Sequence, residues 1–397
     1  MNTQTKQNYF LSQPHQPFFV LAIINAVVMM LIFALNYKGV LTLQDDTLSF
    51  HVYSLIFLVF SNAFTGFLFT TFPRFCQAEV IDKKYYSNIF YANAFGSLVF
   101  LAGAFISHIL LIFAMAILFV SQVFIVLKLR YIYQTGIISD KKDSFWILNA
   151  QYFGVFGSFL FVLSAIATEF GLNFDILTSA INISFYMYLI FLAFSVAQRM
   201  VPFFSHSFAQ KNPNFIKFVF ILFLLKSLFA SLDFTIAQII VDVLLGAYML
   251  IEFRRWELHP FSSPAILWVL HLALFWLPTA FFLSALSLVA QMLLHIDFFF
   301  LNTHLLAIGF LTTVLIGFGT RVILGHSGQA PHADRVTTYI FWFIQVVVLL
   351  RVLYSFNIAF GWDKNFLFDI SFTAWLVLFL VWGARYIRVL IFGSKQK

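Results

Sequence analysis

The sequence predicts an all-α, polytopic membrane protein: a bundle of about twelve transmembrane helices with both termini on the cytoplasmic side. Three observations lead there. Hydrophobic residues make up 62% of the 397 and charged residues only 10%, with a mean hydropathy of +0.93. Soluble domains average about 45–50% apolar and about 25% charged residues, so these few charges cannot cover a water-facing surface, and the bilayer takes the part of solvent. Apolar runs of about 20 residues, enough to cross a ~30 Å hydrocarbon core, recur along the whole chain. Lys and Arg, finally, fall almost entirely in alternate loops.

Taken in order, the first run, 18–36, is too long and lacks the small-residue cleavage site of a removable signal peptide. The second, 51–72, opens on His51 and ends before Pro73. The third and fourth, 88–106 and 109–128, are parted only by a tight turn at Ser107-His108. The fifth, 146–168, follows Lys141-Lys142, and the sixth, 175–197, runs up to Arg199. The seventh and eighth, 215–231 and 234–251, form a short pair around Lys226 to Asp233. The runs 265–289, 298–320, 338–356 and 366–386 complete the series. The loops between them, no longer than roughly 15–20 residues, leave no room for a soluble domain, so 1–397 reads as a single transmembrane domain.

With the N-terminus inside, 19 of the 23 Lys and Arg lie on the cytoplasmic side, and only Lys38, Lys226, Arg351 and Lys364 do not. This is the positive-inside bias, which a miscounted hairpin would destroy. The net charge of +7 is therefore a topology signal, spread over loops rather than gathered into a nucleic-acid patch. The single cysteine, Cys76, excludes an internal disulfide and any cysteine-built zinc or iron–sulfur site within one chain.

Inside a bilayer, a histidine marks a candidate site. Of the ten, His15, His206, His259 and His332 read as loop or interface residues, His108 lies in a turn and His295 just before a span. His51, His271 and His304 fall within spans, and His326 sits just past one, near Arg321. At about 1.5 Å per residue, His51 and His304 both occupy the outer third. His271 lies in the inner leaflet at a depth close to Arg199, Arg321 and His326. The outer layer thus offers two imidazoles, which suit axial ligation of haem iron, and aromatic walls to hold the macrocycle. Without a CxxCH motif any haem is non-covalent, of b type. Interfacial helix-capping and helix–helix hydrogen bonding are the plainer uses of the same histidines.

Several segments together resemble the NnrS family, membrane proteins tied to the nitric-oxide response and carrying haem and copper. Pro17-Phe18-Phe19 is similar to that family's lead into its first span. His51-Val52-Tyr53-Ser54, with Gly66-Phe67-Leu68-Phe69-Thr70-Thr71-Phe72-Pro73, resembles its His-x-His-Glu opening and Gly-Phe-Leu-Leu-Thr-x-x-Pro close. Gln198-Arg199-Met200-Val201-Pro202-Phe203-Phe204 is similar to Arg-x-x-Pro-Phe-Phe, and Leu270-His271 with Trp276-Leu277 to the ninth-span Leu-His-x-x-x-x-Trp-Leu. The most specific match is His304 with Gly309, then Thr320-Arg321-Val322-Ile323-Leu324-Gly325-His326-Ser327-Gly328.

The resemblance implies a haem-binding protein of the nitric-oxide response and of defence against nitrosative stress, set in the bacterial inner membrane, with nitric oxide as its small ligand. It implies metal ligation by His51, His304, His271 and His326, with His51 and His304 the preferred axial ligands. Arg351, at the outer end of the eleventh span, suits a haem propionate; the plainer reading is a snorkelling interfacial cation. Arg199, His271, Arg321 and His326 form a second polar site for a cofactor or anion. Tyr53 and Ser54 stand where the family has its second histidine and glutamate, so copper ligands are partly missing and haem is favoured over copper. Haem–copper oxidases offer an architectural analogy, with twelve spans and haem histidines on the second and tenth, although histidines are lacking here on the sixth and seventh. Two rival readings remain. One is a transporter with a histidine- and arginine-lined pathway, its helices eased by Gly96, Gly103, Gly317 and Gly319; few in-span carboxylates other than Asp242 support it. The other is a structural assembly subunit. Whether the protein is an enzyme is left open.

Overall fold

The computed structural model describes residues 9–172, 176–210 and 212–393. The cytoplasmic-side charges Lys6, Lys211, Lys395 and Lys397, and the expected start of the sixth span at Asp175, lie outside the described residues. The described residues contain helices and no strand. Among the described residues, eleven helices are long and apolar enough to cross a membrane: His15–Tyr37, Thr47–Cys76, Lys83–Ile106, His108–Thr135, Lys142–Glu169, Leu177–Phe204, Thr235–Arg255, Ala265–Leu294, Leu301–His326, Arg335–Ala359 and Phe366–Phe392. Phe215–Ser231, 17 residues of the same character, makes the twelfth and is the seventh in chain order.

Each expected span has its helix, and most helices run a turn or more beyond the apolar stretch. Hydropathy marks the part that meets hydrocarbon, whereas helical hydrogen bonding continues until the chain is capped. The Asp46 carboxylate accepts from the backbone N–H of Leu48 and Ser49 at 2.9 and 2.8 Å, and Asp334 accepts from Thr337 at 2.9 Å. The third and fourth helices are joined by Ser107 alone, in an extended conformation. That turn demands glycine at 103, where a Cβ would stand 2.6 Å from the Leu111 backbone nitrogen.

The chain forms two compact units, Met1–Ile181 with Val322–Ala330 and Phe379–Lys397, and Asn182–Arg321 with Pro331–Leu378. The core of the first is aromatic: Tyr53 and Phe50 both stack on Phe100, with centroids 5.0 and 5.6 Å away. A buried amide network threads it, in which Asn93 donates to Asn62 at 2.9 Å and Asn25 donates to Ser97 at 3.1 Å. In the second unit Phe215 meets Trp256, and Phe223 meets Phe281, both at 5.6 Å. Side chains such as Leu98, Ile109 and Ile236, about two-thirds exposed, suit a lipid-facing surface.

The second, sixth and tenth helices stand apart. Their central stretches are 89, 83 and 83% buried, against 39–61% for the other eight of these eleven helices. Each also contains a π-helical segment, Ser54–Phe60, Ile183–Ile190 and Leu305–Thr312. A π turn adds a residue and widens the helix, and frequently marks a functional position. It also leaves carbonyls to be satisfied where there is no water. Hydroxyls five residues on do this at 2.8 Å, Ser61 bonding to the Ile56 carbonyl and Thr312 to that of Ala307. The Leu58 carbonyl accepts from both Asn25 and Asn62, each at 2.8 Å.

Candidate functional site

His51 lies in the last turn before the π segment Ser54–Phe60. Its half-buried ring stacks on Phe33 of the first helix, with centroids 4.0 Å apart and planes inclined by 28°. His304 stands immediately before the π segment Leu305–Thr312. Its Nδ1 is 2.9 Å from the Phe300 carbonyl oxygen. A carbonyl only accepts, so Nδ1 carries a proton, as metal ligation through Nε2 requires. His51 belongs to the first unit and His304 to the second.

The lead into the tenth helix is strained. Phe299 and Phe300 are consecutive left-handed residues, at φ 41° and 55°, a region that bulky side chains rarely adopt. Arg351 holds this bend. Its guanidinium donates to Ser355 Oγ at 2.6 Å and to the Phe299 carbonyl at 3.1 Å, and Ser355 Oγ is 3.3 Å from the same carbonyl. At 8% exposure, Arg351 is a buried clamp rather than the interfacial cation of the plainer expectation. Its backbone partner could not be read from sequence, since a carbonyl has no residue identity.

Of the second polar site, the structure brings two members onto one helix end. His271, 2% exposed, has Nε2 at 2.6 Å from Ser205 Oγ. The Arg321 guanidinium lies over the neighbouring Phe204 ring, 3.7 Å from its centroid, a close cation–π contact. Arg199 is half-buried on the same sixth helix.

His326 belongs to the first unit and is the last residue of the tenth helix rather than a residue beyond it. It meets a partner that the sequence reading missed. His15, expected in a loop or interface, opens the first helix, is 2% exposed, and lies 4.8 Å from His326 between ring centroids. Thr70 Oγ1 gives its proton to the Gly66 carbonyl at 2.8 Å, so toward His15 it accepts, from the backbone N–H at 3.2 Å and from Nδ1 at 3.5 Å. His326 Nδ1 lies 3.0 Å from the Val322 carbonyl, and its Nε2 is buried without a hydrogen-bond partner. The available signal was Pro17: proline favours the first helical turn, which sets the helix start at about residue 15.

Gly66 and Gly309 of the resemblance motifs, and Gly317, sit at close helix crossings, whereas Gly325 and Gly328 have open space around them. A Cβ on Gly66 would lie 2.8 Å from Phe18, one on Gly309 2.9 Å from Trp276, and one on Gly317 2.8 Å from Leu270. Trp276 in turn donates to Gln345 at 2.8 Å. Gly96 likewise meets Leu118, at 2.8 Å, so close helix crossing accounts for these glycines without any motion. Among the described residues no three of His, Cys, Asp and Glu gather into a metal-binding group.

Among curated proteins none matches the chain significantly. The family model of NnrS, described as NnrS protein, matches residues 9–392, nearly the whole length. The chain therefore belongs to the NnrS family.

Proposed function

We propose that this protein is a haem-binding member of the family, acting in the nitric-oxide response and in defence against nitrosative stress from the bacterial inner membrane. Family membership itself fits a multi-pass membrane protein of the nitric-oxide response. The observation that carries the finer reading is the setting of His304: Nδ1 donates to the Phe300 carbonyl, the arrangement that ligation through Nε2 needs, directly ahead of a π segment. His51 stands three residues ahead of the π segment of the second helix. In this proposal the two would hold a non-covalent b-type haem, which would supply a redox-active iron; nitric oxide would reach that iron only by displacing one of the two imidazoles.

The chain's own residues do the rest. Phe33 fixes the plane of His51, the Phe300 carbonyl fixes the tautomer of His304, and Arg351 steadies the bend ahead of it. A guanidinium has five N–H donors, so Arg351 can also meet a propionate. His51 and His304 are both imidazoles near the start of strongly buried helices, the donor type that a non-covalent haem takes. His271, Arg321 and Arg199 are proposed as an anion or second-cofactor site in the second unit, and His326 as a donor in the first. Copper favours two or three imidazoles close together; Tyr53 and Ser54 stand where the family has further ligands beside His51, so haem is the favoured cofactor of this proposal.

Visible spectroscopy of the purified protein tests the reading. A Soret band is expected, abolished or altered by His51→Ala and by His304→Ala, and unaffected by His259→Ala, whose side chain is exposed. A colourless wild-type protein after expression with ample haem would overturn it, and solute uptake by such a protein would favour the transporter.

A further inference from the structure

The second unit holds a full ion pair inside its helices. Lys226 Nζ lies 2.7 Å from Asp242 Oδ2, and the two side chains are 2% and 0% exposed. Asp242 is seven residues into the eighth helix and Lys226 five from the end of the seventh, so both lie roughly 8–10 Å along the helix from the turn that joins them. Charges at such a depth are costly and rarely present without a task. A pair of this kind adds little stability over apolar residues of equal size, so packing alone does not account for it.

Five helices contribute to its surroundings. Ser284 of the ninth donates to Asp242 Oδ2 at 2.6 Å, and Gln238 Oε1 of the eighth is 3.5 Å from Lys226 Nζ. The Tyr186 ring, in the π segment of the sixth, lies under the ammonium at 5.8 Å, and its hydroxyl accepts from Asn302 of the tenth at 3.1 Å. The distribution of bonds on the carboxylate is lopsided. Oδ2 takes both the ammonium and the serine, whereas Oδ1 is buried with no donor. Asn302 Oδ1 is also buried with no donor. A purely structural pair would spread its donors over both oxygens.

We infer that Asp242 and Lys226 form a membrane-embedded proton-binding site, loaded at Asp242 Oδ1 from the end of the bundle where the seventh and eighth helices join. In the loading step a hydronium O–H bond breaks and an O–H bond forms at Oδ1, with water as the leaving group. Lys226 stays an ammonium and its bond to Oδ2 weakens, so the pair goes from neutral to singly positive. Release reverses the step. Among the described residues, the groups in contact with the pair are Tyr186, Gln238 and Ser284, with Asn302 bonded to Tyr186; only Tyr186 titrates, and none is a fixed charge that would hold the proton on or off. The site gives the protein a means of taking up or passing a proton within the membrane, whichever cofactor it carries.

Infrared difference spectroscopy of the full-length protein in detergent, stepped in pH, reads the site directly and needs no haem. A protonated-carboxyl C=O band, shifted in D2O, is expected to grow as pH falls, and to be lost in Asp242→Asn. In Lys226→Met, which removes the cation that favours the carboxylate, the band should persist to alkaline pH. Asp242→Asn with Lys226→Gln keeps both side-chain sizes and serves as the band-free reference if a single variant misfolds. The absence of any band assignable to Asp242 over the pH range in which the wild type stays folded would overturn the proposal, as would a Lys226→Met protein whose band titrates like the wild type's.

Discussion

Replacing Arg351 by Met should release the bend ahead of His304, and the structure sets the scale. Phe299 and Phe300 sit at φ 41° and 55°, and each left-handed non-glycine residue costs about 1–2 kcal/mol. The pair therefore stores roughly 2–4 kcal/mol. The opposing bond from the guanidinium to the Phe299 carbonyl, 3.1 Å long and buried, is of the charged kind that contributes about 1.5–3 kcal/mol. Loss of about 2 kcal/mol corresponds to roughly 30-fold faster local opening. Hydrogen exchange read by mass spectrometry on peptides covering 296–304 should show it, with the remaining helices unchanged. Arg351→Lys should fall between, because an ammonium lacks the fork that reaches Ser355 and Phe299 together. Phe300→Gly in the Met background is the counter-test: the ring is 48% exposed, so little burial is lost, while about 1 kcal/mol of backbone strain is relieved. Unchanged exchange at 296–304 in Arg351→Met would refute the clamp.

Three more outcomes are expected. Gly103→Ala should destabilise by about 1–3 kcal/mol in a thermal-shift assay, because the new methyl meets the Leu111 backbone and no side chain can turn away; Gly325→Ala, with nothing within 4 Å, should not lower stability. At Asp46 partial burial disfavours the charge, but hydrogen bonds from Ser49 and Leu48 outweigh it and hold the carboxyl below its ordinary value of 3.8. A depressed folded-state value means stability present above the ordinary value and lost as pH falls through the depressed one, so Asp46→Ala should cost about 1 kcal/mol near neutrality and progressively less in acid, measured by denaturant unfolding across pH. Reporter fusions after Lys84 and Lys142 should read cytoplasmic and one near Asp45 external, as the charge asymmetry requires; an external Lys142 loop would contradict that orientation.

The helices were legible because burial in lipid and helix formation leave one shared mark, a long apolar run, and the seventh helix appears at 215–231 as read. Their ends were less so. Thr47 to Phe50 and Ile323 to His326 continue their helices through capping and backbone bonding that hydropathy does not register. The π segments were invisible, since widening a turn changes the partner of each N–H and leaves composition untouched. Histidines 51 and 304 drew attention as polar residues in apolar runs, whereas His15 escaped because it precedes the run, and the ring it meets, that of His326, lies more than 300 positions away in the chain. Lys226 and Asp242 were each visible as charges, but their pairing is a property of two packed helices. The tautomer of His304 and the clamp at Arg351 both run through backbone carbonyls, which no sequence pattern reports.

The central claim is haem ligation by His51 and His304, and electron paramagnetic resonance of the oxidised protein tests it most directly. Two imidazole ligands hold ferric iron in the low-spin state, so the wild type should give a low-spin spectrum, and His51→Ala and His304→Ala should each convert it to high spin or lose the iron. A wild-type spectrum that is already high-spin, or a low-spin spectrum that survives either substitution, would contradict the account.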